Sequence, residues 1–174
     1  MKNSWLAVVL VAALGSQAQS LRAVSVNIPE KAGFPAAISF FCSQSYERDA
    51  CRKDVLAVRV LLAAYPVDRL GQWTFLLVPS DQWKPLVGSL GGDAASPAFT
   101  VLERRTTVLE QALFSGSPVR ELELLKRFGA MRDGLMQLAI SHELGHAICS
   151  EANEARADEY GHELREKKST TCGR

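Results

Sequence analysis

Beyond its first twenty residues this 174-residue chain holds no apolar run long enough to cross a bilayer. Charge of one sign is lacking as well: 20 Lys and Arg stand against 19 Asp and Glu, for a formal net charge of +1. That balance gives no support for a nucleic-acid partner or a polybasic membrane patch. The one local basic cluster, Arg165, Lys167 and Lys168, reads as a helix end whose cations complement the dipole. Internal repeats, low-complexity stretches and an evident linker are absent too, which excludes solenoid and disordered-array architectures. Histidine is scarce, with three in the whole chain. Two of the three fall four residues apart.

What is present at the start is a different kind of segment. Lys2, an apolar stretch from Trp5 to Leu14 and a small, polar end at Ser20 read as a secretory signal peptide, with an uncleaved anchor as the competing reading. Ser16-x-Ala18 places cleavage after Ala18, so residues 1–18 are the expected signal and 19–174 the expected single domain. About 155 residues remain, enough for one sizeable core and too few for two. Four cysteines, Cys42, Cys51, Cys149 and Cys172, lie in that part. In an exported chain an even count favours disulfides, and four allow three connectivities. Cys42 with Cys51, closing a short polar loop, and Cys149 with Cys172, strapping the tail to a helix end, are the expected pairs.

Periodicity outlines an α+β domain. Val24, Val26 and Ile28 alternate as a short strand does, and Ala37–Phe41 begins either a second strand or a helix. Val55, Val58, Leu61, Leu62 and Tyr65 recur at helical spacing until Pro66, forming a helix that backs a sheet. Trp73–Val78 reads as a buried strand, and Ser80–Leu90 as a short helix with Ser80 as N-cap. Ala98–Leu102 and Thr106–Leu113 are β-prone runs on either side of Glu103-Arg104-Arg105, a hairpin pattern; Thr106–Leu113 is the expected exposed edge, where an extended peptide can add a strand. A helix from Val119 to about Phe128 follows, closed by Gly129.

The informative stretch is Ser141-His142-Glu143-Leu144-Gly145-His146-Ala147. Met131, Leu135, Leu138 and Ala139 continue one face into His142, His146 and Cys149, so the stretch lies on a long amphipathic helix. Residues four apart share a helix face, so both imidazoles can point at one ion with Glu143 beside them. This is the H-E-x-x-H arrangement: two nitrogen ligands and a carboxylate that serves as general base. A catalytic zinc takes three protein ligands, and the segment Glu151–His162 supplies candidates for the third. A third histidine at metzincin spacing is excluded, since Ala152 stands at that position.

At this point the chain resembles the gluzincin metallopeptidases, whose first helix carries H-E-x-x-H and whose second carries E-x-x-x-D, in fuller form E-x-x-A-D. Glu154-Ala155-Arg156-Ala157-Asp158 matches the fuller form. The resemblance implies Zn2+ as cofactor, Glu154 as third ligand after His142 and His146, and Asp158 as the carboxylate that orients a ligand histidine through its other ring nitrogen. Glu151 and His162 remain rivals for the third position. Only Ala147–Asn153 separates His146 from Glu154, so the connection must be a tight helical hairpin with Asn153 as N-cap. The expected fold is therefore a minimal zincin-like domain: a small mixed sheet, a backing helix, the H-E-x-x-H helix and a short hairpin to the third-ligand helix. The expected function is an exported zinc peptidase that hydrolyses peptide bonds of a peptide or protein substrate with a metal-activated water, Glu143 as general base, and Tyr160 or Arg156 as possible charge donors. Nucleic-acid binding and stable membrane insertion after signal removal are not expected. The alternative is a non-catalytic zinc protein that uses the same site for stability or partner binding.

Overall fold

A computed structural model describes residues 21–22, 37–90, 92–115 and 117–173. The expected signal segment, residues 1–18, and the strand expected around Val24–Ile28 lie outside the described residues. Five strands, β1 Leu21–Arg22, β2 Ile38–Ser43, β3 Trp73–Val78, β4 Ala98–Val101 and β5 Thr106–Glu110, form one mixed sheet in the order β1-β2-β3-β5-β4. The pairs β2–β3 and β3–β5 are parallel, while β1 and β4 run antiparallel to their neighbours at the two edges. Among the described residues five α-helices accompany it: α1 Arg48–Leu62, α2 Ser80–Ser89, α3 Pro118–Phe128, α4 Arg132–Cys149 and α5 Glu154–Lys167.

The central strand is central because of its composition. Trp73-Thr74-Phe75-Leu76-Leu77-Val78 offers apolar side chains to both faces, as a strand covered on both sides must. Trp73, Phe75 and Leu77 enter a core shared with α1, α3, α4 and α5, whereas Val78 joins Val108 of β5 and Trp83 and Val87 of α2 on the opposite face. Helix α1 turns Cys51, Val55, Val58 and Leu62 inward at three- and four-residue spacing, and the Glu47 side chain caps its start by accepting from the Asp49 and Ala50 amides at 2.9 and 2.6 Å. Cys51 is joined to Cys42 of β2, and Cys149 at the end of α4 is joined to Cys172. Both expected pairings are present, and they are consistent with an oxidising, exported setting. Among the described residues no helix is long and apolar enough to cross a membrane.

Three expectations need correction. Helix α1 ends at Leu62, not Tyr65; the residue before Pro66 is pushed out of the helical region, and a turn followed by a 3-10 helix at Val67–Leu70 takes its place with Tyr65 still buried. Pro79, not Ser80, is the N-cap of α2, and the Ser80 hydroxyl is buried without a hydrogen-bond partner among the described residues. Thr106–Glu110 is an internal strand, paired on one side with β3 and on the other with β4. Its four buried residues from Thr107 to Glu110 suit that place, and the edge falls to the half-exposed β4.

Candidate metal centre

Helix α4 turns the H-E-x-x-H residues toward the core: Glu143, Leu144, Gly145, His146 and Ala147 are buried and His142 is half-buried. The chain then reverses within four residues. Ser150 adopts the left-handed conformation at φ 49°, and Asn153 caps α5 by accepting from the Arg156 amide at 3.1 Å. The reversal brings α5 back along α4 at a separation that only glycine permits. A Cβ placed on Gly145 would lie 2.5 Å from the Ala157 carbonyl oxygen, and one on Gly161 would lie 2.9 Å from the His142 Cα. Gly145, Ala157 and Gly161 thus set the spacing of the two helices, and with it the distance from the histidines to the α5 carboxylates.

At that distance three ligand atoms converge. His142 Nε2 lies 3.1 Å from His146 Nε2 and 3.1 Å from Glu154 Oε2, and His146 Nε2 lies 3.5 Å from the same oxygen. Among the described residues this is the group of His and acidic side chains able to hold a metal ion. The partners of the other ring nitrogens fix the chemistry of the donors. His142 Nδ1 faces Asp158 Oδ1 at 2.7 Å, and His146 Nδ1 faces the Glu151 carbonyl oxygen at 2.5 Å. Carbonyl and carboxylate oxygens accept, so each Nδ1 donates and each Nε2 is the ring atom turned to the centre. Two ring nitrogens and a carboxylate oxygen therefore meet at one point. The spacing fits: tetrahedral ligands on zinc, at the usual bond lengths, lie about 3.3 Å apart.

Asp158 occupies the place the resemblance implied for it. The rivals of Glu154 do not. Glu151 turns its carboxylate into the hairpin, accepting from the Asn153 amide at 2.9 Å and pairing with Arg156 at 3.5 Å; its contribution to the centre is its main-chain carbonyl on His146. His162 is exposed on α5 and stands outside the group. Tyr160 is buried with its hydroxyl against Gly173, Arg156 is engaged with Glu151, and neither lines the cleft at the centre.

That cleft, about 770 Å³, runs between α4, the start of α5, edge strand β4 and the 92–97 loop. Leu102, Phe128, Leu138 and Ala139 give it an apolar wall. The loop is pinned by three long side chains: Trp83 donates to the Ser96 carbonyl at 2.8 Å, Arg120 to the Ala94 carbonyl at 3.0 Å, and Arg127 pairs with Asp93 at 2.5 Å. Arg120 is itself held by the buried Glu110 through three contacts of 2.8 to 3.1 Å. Glu143 lines the cleft beside the histidines. Burial drives its carboxyl above the usual carboxylate range, against the opposing pull of His142 and of a hydrogen bond from Thr100. Its Oε2 is buried and has no hydrogen-bond partner among the described residues. A buried acceptor left open beside three metal donors fits a site that works on a polar group brought into the cleft.

Sequence reasoning missed Gly145, Gly161, Thr100 and the Glu151 carbonyl. Gly145 inside the motif, with small residues four apart at Ala157 and Gly161, was the available signal for the close helix approach. The carbonyl left no signal, because a main-chain group has none. Comparison with protein-family models, with curated proteins and with solved structures gives no match to this chain.

Proposed function

We propose that this chain is an exported zinc-dependent peptidase of the gluzincin type, built on a minimal zincin-like domain, with His142, His146 and Glu154 as zinc ligands and Glu143 as general base. The observation that supports this reading is the convergence of His142 Nε2, His146 Nε2 and Glu154 Oε2 beside a cleft that Glu143 lines. Zinc, when bound, supplies Lewis acidity: it lowers the pKa of water toward neutrality and polarises a carbonyl. The chain's own residues do the rest. Asp158 and the Glu151 carbonyl hold each imidazole in the tautomer that binds metal. Glu143 accepts a proton from the attacking water at Oε2 and delivers it to the leaving amine. Among the described residues strand β4 pairs with β5 along one edge, and its other edge offers main-chain groups to an extended peptide. The apolar wall of the cleft excludes water from the reacting carbonyl and receives an apolar substrate side chain.

The test is a comparison of the zinc-loaded wild type with Glu143→Gln on a mixture of quenched fluorescent peptides. Turnover by the wild type and zinc retention without turnover in the variant support the proposal. Equal turnover removes Glu143 as general base. One zinc bound with no turnover of any peptide or protein by the wild type turns the reading to the non-catalytic zinc protein.

A further inference from the structure

The turn of α5 that carries Glu154 and Asp158 has little to hold it. From Ala152 to Glu159 every side chain is exposed except that of Ala157, which meets α4 at the Gly145 backbone. One small side chain buries little apolar area, so on its own this turn can part from α4 easily. A brace comes from the C-terminal tail. Thr170 donates to Glu163 at 2.6 Å. Three residues on, a Cβ placed on Gly173 would lie 2.9 Å from the Tyr160 hydroxyl and 3.5 Å from Arg156 Nη2, so the tail runs back along α5 toward the helical hairpin. Cys172 then crosses to Cys149, the last residue of α4. We infer that the Cys149–Cys172 disulfide is a positioning element of the metal centre: it straps α5 against α4, so that zinc affinity depends on whether this bond is oxidised or reduced. This role rests on the ligand set proposed above and is independent of peptidase activity.

Two features set this bond apart. The first is where it is anchored. Arg69 of the 3-10 helix donates to the Thr170 carbonyl at 2.7 Å and Thr170 donates to α5, whereas the covalent link to α4 is the disulfide. Its α4 end lies just beyond His146 and just before Glu151, whose carbonyl accepts from His146 Nδ1 at 2.5 Å. Opening the bond therefore loosens both the turn that brings Glu154 and the reversal that orients His146. The second feature is access. Cys42 and Cys51 are 0% and 1% exposed, while Cys149 and Cys172 are half-buried. An attacking thiolate must reach a disulfide sulfur, so a small thiol such as glutathione reduces the strap ahead of the buried bond. One glutathione thiolate attacks a sulfur of the pair and expels the other cysteine as thiolate; a second glutathione resolves the mixed disulfide, leaving two cysteine thiols and glutathione disulfide. Without the strap, zinc must order the α5 turn as it binds, and its affinity falls by that factor.

The test compares two disulfide deletions. Zinc affinity is measured by competition with a chromophoric chelator for the wild type, for Cys149→Ser with Cys172→Ser, and for Cys42→Ser with Cys51→Ser. The strap predicts a loss of about tenfold in the first variant and an affinity within about twofold of wild type in the second, although each has lost one disulfide. Wild-type affinity in the first variant, or equal losses in both, overturns the inference, since equal losses mark a general loosening of the fold. A wild type that binds no zinc sinks the strap and the ligand set together. Strap-dependent zinc in a protein without turnover supports the strap and sinks the peptidase reading alone. Should the first variant fail to fold, the native protein gives the same answer by linkage: whatever factor the disulfide adds to zinc affinity, zinc adds to the stability of the disulfide. In glutathione buffers of graded potential, with each cysteine read by alkylation and peptide mapping, saturating zinc should move the Cys149–Cys172 midpoint more negative by about 30 mV, the equivalent of tenfold. A midpoint that stays in place or moves to less negative values overturns the inference.

Discussion

Substituting Gly161 by alanine should damage the metal centre without touching a ligand. The added Cβ would lie 2.9 Å from the His142 Cα and 3.0 Å from both the His142 amide nitrogen and the Ser141 carbonyl oxygen. These are backbone atoms of α4, which no rotamer change can move aside. Ordinary contact begins at 3.4 Å, so α5 must retreat from α4 by about 0.5 Å at this point. Glu154 and Asp158 ride on α5, and their partners ride on α4. Metal–ligand distances tolerate only about 0.2 Å, so the retreat exceeds what the ligand triangle can absorb. The expected loss in zinc affinity is about 10- to 100-fold, comparable to removing a group that orients a ligand. Overpacking should also cost the zinc-free fold about 1–3 kcal/mol. Competition with a chromophoric chelator measures the first and calorimetry in EDTA the second. Gly88→Ala in α2, where no atom lies within 4 Å of the new Cβ, is the control and should alter neither. Zinc affinity in Gly161→Ala within about twofold of wild type would refute the claim that glycine contact sets the geometry of the centre.

Further perturbations address other parts of the account. Asp158→Ala should keep one zinc site but weaken it by about 10- to 100-fold, read by the same chelator competition, because His142 Nδ1 loses its acceptor. Replacing Cys149 and Cys172 by serine releases a strap spanning 23 residues and should lower unfolding stability by about 3 kcal/mol, measured by urea titration; unchanged stability would mean that Arg69, which donates to the Thr170 carbonyl at 2.7 Å, holds the tail by itself. Asp54 is buried under Tyr46, whose hydroxyl donates to it at 2.7 Å, and burial raises its carboxyl above the usual range. The folded state therefore takes up this proton before the unfolded chain does, so ionised Asp54 costs stability at neutral pH and the cost vanishes as pH falls from the raised value toward the ordinary one. Asp54→Asn, whose amide oxygen can still accept from Tyr46, should be within about 1 kcal/mol of wild type or more stable at pH 7, with the difference shifting toward the wild type in acid. Thermal unfolding between pH 3.5 and 7 checks this, and a variant that loses ground as pH rises would contradict it.

The parts of this protein that were legible in its sequence are those that depend on spacing along a single element. His142 and His146 could be placed on one face because a four-residue interval on one helix leaves little freedom, whereas Glu154 and Asp158 came from the resemblance, with Glu151 and His162 as rivals that spacing could not separate. The pairing of Cys42 with Cys51 followed from a short loop and that of Cys149 with Cys172 from a strap between the tail and a helix end, and β3 followed from an unbroken apolar run. The order of strands across the sheet was not legible locally. Thr106–Glu110 and Ala98–Val101 are both β-prone, and which of them lies at the edge is decided by the parallel pairing of β5 with β3, more than thirty residues earlier. The helix–helix approach at Gly145 and Gly161 was written in the sequence as missing side chains, a signal that hydrophobic periodicity does not weigh. The hydrogen bonds that join Trp73 to Thr107 and Thr107 to Thr100 link residues 34 and 7 positions apart, so only the assembled sheet reveals them.

Zinc content per purified chain, measured for the wild type beside Glu154→Ala, Glu151→Ala and His162→Ala, tests the central claim most directly. The geometry predicts one equivalent in the wild type, retained in the Glu151 and His162 variants and lost in Glu154→Ala, since only Glu154 closes the triangle with His142 and His146. No bound zinc in the metal-replete wild type, or a full equivalent in Glu154→Ala, would contradict it.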